Sequence, residues 1–218
     1  MNATLCTGAA IAAISIIVAL TGCAQKNSMG RIELTALGSK PVVLERDFAV
    51  GSYTELESEF SFWFSDVTFE ELASNSKETP LPEAIFLHAQ IIWQPEPGRT
   101  PLVSTATNVV TRIVIISGGE LGLYGGAAFA RPDEELGGDS VEFDLRGGTL
   151  TLLAKTDGFH DLLSPVGLTG HLTAMRSNDE ASKWRRGVSQ LVTNTLGRSM
   201  WVSAPRCDDA LGAFSLLR

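Results

Sequence analysis

Three histidines and three cysteines in 218 residues leave little material for metal or nucleophilic chemistry. Zinc sites draw on His or Cys pairs a few residues apart, and His88, His160 and His171 show no such spacing. No G-x-S-x-G sequence is present, which excludes the nucleophile elbow of the α/β-hydrolases. The glycine run from Gly118 to Gly126 lacks the lysine of a phosphate loop and the helical pattern that should follow one. Basic clusters are also missing: 17 Lys and Arg stand against 25 Asp and Glu, with a net charge of −8. Neither nucleic acid nor a lipid surface recognised through charge is an expected partner, because both are bound by concentrated positive charge. There is no repeat of fixed period and no low-complexity segment.

What is present is a series of short β-rich runs separated by Gly, Pro, Asn and Asp. Arg31–Leu37 and Pro41–Val50 read as strands around Gly38-Ser39, and Ser58–Val67 alternates so that Phe60, Phe62 and Phe64 share one face. Thr68–Asn75 reads as one or two helical turns before Pro80-Leu81-Pro82. Glu83–Trp93 and Asn108–Ser117 are further strands, the second apolar on both sides and so expected to be covered on both faces. Gly118-Gly119 predicts a hairpin into Leu121–Ala130. A second hairpin is predicted from Ser140–Leu145 and Thr149–Lys155 around Arg146-Gly147-Gly148, and Gly167–Arg176 is another strand. Ser199–Ala204 reads as a last strand, with Leu211, Phe214, Leu216 and Leu217 docking the C-terminus.

One helix is clearly signalled. Ser177-Asn178-Asp179-Glu180 has the capping-box form, Trp184, Val188, Leu191 and Val192 follow on one face, and Gly197 supplies the stop. The expected fold is mainly β: an antiparallel sandwich or barrel-like domain over residues 31–218, with a C-terminal α-helix at about residues 178–196 covering one opening or face of the sheet.

Residues Gly8–Thr21 are apolar and uncharged but shorter than the roughly 20 residues of a membrane span, so they read as a signal-peptide core. They run into Leu20-Thr21-Gly22-Cys23, which resembles the lipobox of bacterial lipoproteins: a branched apolar residue, two small residues and a cysteine. The resemblance implies cleavage of residues 1–22, lipidation of Cys23 and a short tether over residues 23–30. The partner would then be a lipid bilayer, reached through acyl chains that contribute about 0.8 kcal/mol per buried methylene. Ala24, in place of an aspartate, implies export to the periplasmic face of an outer membrane. No Lys or Arg precedes the apolar core, which departs from the usual signal pattern. With Cys6 removed and Cys23 acylated, Cys207 has no partner for a disulfide, and the fold must rest on its core.

No residue reaches the specificity of a catalytic, cofactor or metal assignment. His88 and His171 sit on strands, where a histidine is more often structural than a ligand, and His160-Asp161 is adjacent in sequence alone. Glu55, Glu57 and Glu59, if extended, share a face that suits a solvated edge or a cation. Asp133-Glu134-Glu135 and Asp139 form a similar acidic loop. Trp63, Trp93, Trp184 and Trp201 read as core or rim aromatics, a residue type that a sugar or peptide cleft also uses. The sequence therefore favours a non-catalytic envelope lipoprotein that binds an envelope protein or has a structural role. The alternative is a binder of a small ligand or carbohydrate in a cleft between sheet and helix, and a hydrolase comes third. A Trp-lined pocket would mark the binder, and a histidine within hydrogen-bond reach of a carboxylate would mark the enzyme.

Overall fold

The computed structural model describes residues 28–56, 59–76, 78–94, 106–133 and 136–201. The expected signal segment, Cys23, Cys207 and the expected docked C-terminus lie outside these residues. The elements are β1 (Gly30–Ala36), β2 (Val43–Asp47), β3 (Val50–Leu56), β4 (Glu59–Ser65), α1 (Phe69–Ser74), β5 (Glu83–Ile91), β6 (Val109–Ser117), β7 (Glu120–Pro132), β8 (Ser140–Lys155), β9 (Val166–Arg176) and α2 (Asn178–Leu196). No helix among the described residues is long and apolar enough to cross a membrane.

The sheet closes on itself, which resolves the choice between sandwich and barrel. Strands β3 to β8 follow one another as antiparallel neighbours, and β9 pairs with β8 on one edge. The other edge of β9 is shared: β1 runs antiparallel to Val166–Leu172, and β3 runs parallel to Met175–Arg176. Strand β2 extends the sheet beyond β1. The sequence expectation of one strand over Pro41–Val50 is thus divided. Phe48 N–H donates to the Gly30 carbonyl, and the chain passes the start of β1 there before it reaches β9 as β3.

Alternation along the strands builds two cores. Ile32, Phe60, Phe62, Phe64, Leu87, Ile113, Phe143 and Leu168 point into the barrel and fill it. Phe62 stacks on Tyr53 with ring centroids 5.3 Å apart and meets Phe143 at 4.8 Å. The opposite faces of β4 to β7 carry Trp63, Ala84, Phe86, Val114, Ile116, Leu121 and Leu123, and α2 covers them with Trp184, Val188, Leu191 and Val192. That second layer explains why β6 is apolar on both sides. Ser177 caps α2 by accepting from the Glu180 N–H, and Gly197 ends it in the left-handed conformation. Helix α1 is a short capped turn, with Thr68 and Glu71 bonding reciprocally.

Two expectations need correction. The predicted hairpin around Arg146-Gly147-Gly148 is one 16-residue strand, β8. The glycines allow a bulge, with Gly147 at φ +59° and the register against β9 shifting between Leu145 and Gly148, so the strand bends around the barrel instead of reversing. Likewise Glu55 and Glu59 do not share an extended segment: they lie on the two arms of the β3–β4 hairpin. Hairpin β6–β7 forms as expected, with positive φ at both Gly118 and Gly119. The small residues of β7 serve close approach, because a Cβ on Gly126 would fall 2.0 Å from the Thr149 carbonyl oxygen of β8. Ser199–Met200 form no strand, and residues from 202 onward lie outside the described part.

Candidate functional site

The interface between α2 and the barrel changes character along its length. Around Trp184, Val188 and Val192 it is apolar. Toward the N-terminal end of α2 the facing rows turn polar: Glu59, Ser61 and Trp63 from β4, His88 and Gln90 from β5, and Asn178, Ser182 and Arg185 from the helix. With Thr54, Glu55 and Ala181 they line a cleft of about 450 Å³. Its position follows from the sequence pattern, since the outward row of β5 reads Ala84, Phe86, His88, Gln90 and becomes hydrophilic as it leaves the part covered by Trp184.

His88 forms the floor. Its ring stacks on Trp63 at 4.1 Å and 28°, with Trp201 beyond at 6.3 Å. Burial first, and then the nearby guanidiniums of Arg112 and Arg185, push the His88 imidazole down to about 3. It is therefore neutral at any ordinary pH, with one N–H and one lone pair to offer. Its Nε2 is buried without a hydrogen-bond partner, and so is the Nε1 of Trp63. Buried polar groups are nearly always paired, and leaving one unpaired costs about 1–3 kcal/mol, so these two atoms stand out as lacking a partner among the described residues. Arg112, beside His88 on β6, is half-buried, and desolvation lowers its pKa. It forms no hydrogen bond or ion pair among the described residues.

Several other polar groups of the cleft are paired with one another or with neighbours. Gln90 Nε2 donates to Glu59 at 2.6 Å, Arg176 to Glu55 at 3.0 Å and Thr54 to Asn178 at 2.6 Å. A second depression, of about 570 Å³ between α2 and the Pro80–Leu81 segment, is lined by Leu81, Ile116, Leu121, Leu191 and Asn194 among others, with no ionisable side chain.

His171 meets the criterion set for an enzyme, but with the wrong geometry. On the exposed face of β8 and β9, its Nδ1 lies 2.9 Å from Asp144 and its Nε2 2.6 Å from Glu142. The bond to Asp144 raises its pKa, with Glu142 adding to the effect, while His171 and Arg146 lower that of Asp144. A triad would turn the second nitrogen toward a hydroxyl; here it faces another carboxylate, which suits an imidazolium ion pair. Asp133, Glu142 and His171 present donor atoms within 4.8 Å of one another, all exposed, and are the residues whose chemistry could hold a divalent ion. His160 is exposed and takes no part, whereas its neighbour Asp161 accepts from the Tyr124 hydroxyl at 2.7 Å.

The structure thus assembles one expected histidine into a cleft and leaves the other two apart. Trp63 joins His88 there, Trp184 packs against Phe86 and Phe69 at the other end of the interface, and Trp93 lies against Phe129 away from it. Sequence reasoning missed Arg112 and Arg185. The signal for Arg112 was available: a lone charge in Val109–Ser117, a strand otherwise built for burial, needs a reason. No family model, no curated protein and no solved structure matches the chain.

Proposed function

We propose that this protein is a lipid-anchored envelope protein whose barrel domain is a non-catalytic binding module, taking a small polar ligand in the cleft between α2 and β3–β5. One observation carries the ligand reading: a cleft of about 450 Å³ has at its floor a neutral, buried His88 with an unpartnered ring nitrogen. A volume in the range of small-molecule sites, with a few convergent polar groups against an aromatic wall, is the usual form of such a site. It brings the small-ligand reading ahead of a purely structural role. The paired carboxylates around His171 give an enzyme reading less support, because both of its nitrogens are occupied.

The anchor and the ligand are tested separately. Cys23→Ser should release the protein from the membrane fraction, and a variant that still fractionates with membranes in high salt would overturn the anchoring. For the ligand, the full chain is screened by thermal shift against neutral disaccharides, N-acetyl amino acids and phosphate esters. A ligand that binds the native state raises the midpoint by mass action. At least one class should do so saturably in the wild type and fail with Ser182→Phe, which fills the cleft from the exposed face of α2. If no class binds, the reading is wrong.

A further inference from the structure

We infer that the ligand of this cleft is a zwitterion, a free amino acid or dipeptide, whose ammonium lies against the β4–β5 wall and whose carboxylate lies against α2. The inference rests on the cleft reading above and specifies its chemistry. Its basis is that the two walls offer opposite polarity. The sheet side is rich in acceptors. Gln90 Nε2 donates to Glu59, which leaves the Gln90 Oε1 open and further lone pairs on the Glu59 carboxylate. The helix side is rich in donors. Arg185 can only donate, and Asn178 accepts from Thr54 on its Oδ1, which leaves its NH2 group open. Ser61 on the sheet and Ser182 on the helix carry hydroxyls that can serve either way. Arg185 and Glu59 line the same cleft, yet they form no ion pair with each other or with any other described residue.

Charge narrows the class. Glu55 is balanced by Arg176, which leaves one carboxylate, Glu59, on the sheet wall and one guanidinium, Arg185, on the helix wall. A lone anion would pair with Arg185 and be repelled by Glu59, and a lone cation would do the reverse. A neutral sugar would displace water from both charges and bring a counter-charge to neither, which is costly. A zwitterion answers both at once. Its carboxylate matches a planar guanidinium with two parallel bonds, and its ammonium brings three N–H donors to Glu59, Gln90 Oε1 and Ser61. A cleft of about 450 Å³ has room for such a molecule. At the floor, Trp63 Nε1 and His88 Nε2 are buried without a partner and are left for the remaining polar groups of the ligand.

The test removes one charge of the ligand at a time. The full chain, labelled with ¹⁵N and held in detergent, is titrated with free amino acids of small, aliphatic and aromatic side chain and with alanylalanine. The matching N-acetyl acids lack the ammonium, the matching amino amides lack the carboxylate, and inorganic phosphate and a neutral disaccharide complete the set. The Trp63 indole N–H signal, assigned through Trp63→Phe, is followed. At least one amino acid or the dipeptide should shift it saturably and bind about tenfold or more tightly than either blocked form, the scale of one charge-assisted hydrogen bond. Arg185 and Glu59 are both exposed, so each can be changed without emptying the core. Arg185→Gln should reduce the affinity for that zwitterion about tenfold and leave that for its amide unchanged, whereas Glu59→Gln should do the same relative to its N-acetyl form. A blocked form that binds as tightly as the zwitterion, or binding of phosphate or disaccharide alone, overturns the zwitterion and leaves the cleft standing as a binding site. If no compound moves the Trp63 signal, both fail.

Discussion

The barrel interior and the layer under α2 are both apolar and rich in aromatics, yet they treat polar atoms differently. Inside the barrel the Tyr53 hydroxyl donates to the Gly138 carbonyl, Tyr124 to Asp161, and Asn108 takes both backbone groups of Ala130. Of the seven buried side-chain atoms without a hydrogen-bond partner among the described residues, Thr111 Oγ1 lies on an inward strand position and Arg46 Nε, 4.0 Å from Asp66, near the barrel's rim. The other five, on Ser52, Trp63, His88, Trp184 and Trp201, belong to the outer layer. A closed sheet has fixed every inward position by register, so its polar groups can be matched one to one. The helix-covered face is bounded by a single element and leaves room where that element ends, which is where a ligand can enter.

The contrast can be broken by mutation, beginning with the interior. Phe62→Ala, which empties the space between Tyr53 and Phe143, should lower the unfolding free energy by about 3–5 kcal/mol in denaturant titrations. A loss below about 1 kcal/mol would mean that the interior is loosely packed. Acid should next expose the outer layer. His88 has a folded pKa of about 3 against about 6.5 when unfolded, so the unfolded chain binds the extra proton between those values. Stability contributed by the neutral ring is complete above about pH 6.5 and lost as pH falls toward 3, on the order of a few kcal/mol. His88→Gln should flatten that part of the pH profile, and an unchanged slope would show that the acid sensitivity lies elsewhere.

Smaller effects sharpen the comparison. Tyr124→Phe removes a satisfied bond to a carboxylate and should cost about 1–3 kcal/mol. Trp184→Phe removes an unsatisfied donor while retaining an aromatic ring, and its cost should stay near or below about 1 kcal/mol. If the two costs are reversed, the outer layer is the better satisfied of the two. The least effect belongs to His171→Asn, an exposed network worth no more than about 1 kcal/mol. Because the folded pKa of His171 is raised, its contribution is present below about pH 6.5 and disappears as pH rises through the folded value. A variant equal to wild type at acid pH would dissolve that network as a stabilising element.

Much of the fold was legible because its signals are local. The α2 boundaries follow from Ser177 and Gly197, the β6–β7 hairpin from Gly118-Gly119, and the double burial of β6 from the apolar run Ile113–Ile116 near its end. Arg146-Gly147-Gly148 misled because a left-handed glycine serves a bulge as well as a turn, and only the neighbouring strand decides between them. The site was half legible. His88 and Trp63 stood out by residue type, but their stacking depends on the β4–β5 register, where Trp63 pairs with His88, and Arg185 arrives from a helix nearly a hundred residues later.

Among the described residues, strand β9 alone borders three others, β1, β3 and β8, and it is the last of those strands to be made. Until residues 166–176 leave the ribosome, three strand edges stay open and the barrel has no route to closure. The order of synthesis thus sets a checkpoint: a nascent chain that ends before Val166 has the hydrophobic strands of a barrel but not its native state. Such a chain has to be kept from pairing with its neighbours, and it remains pliable for as long as that last strand is withheld.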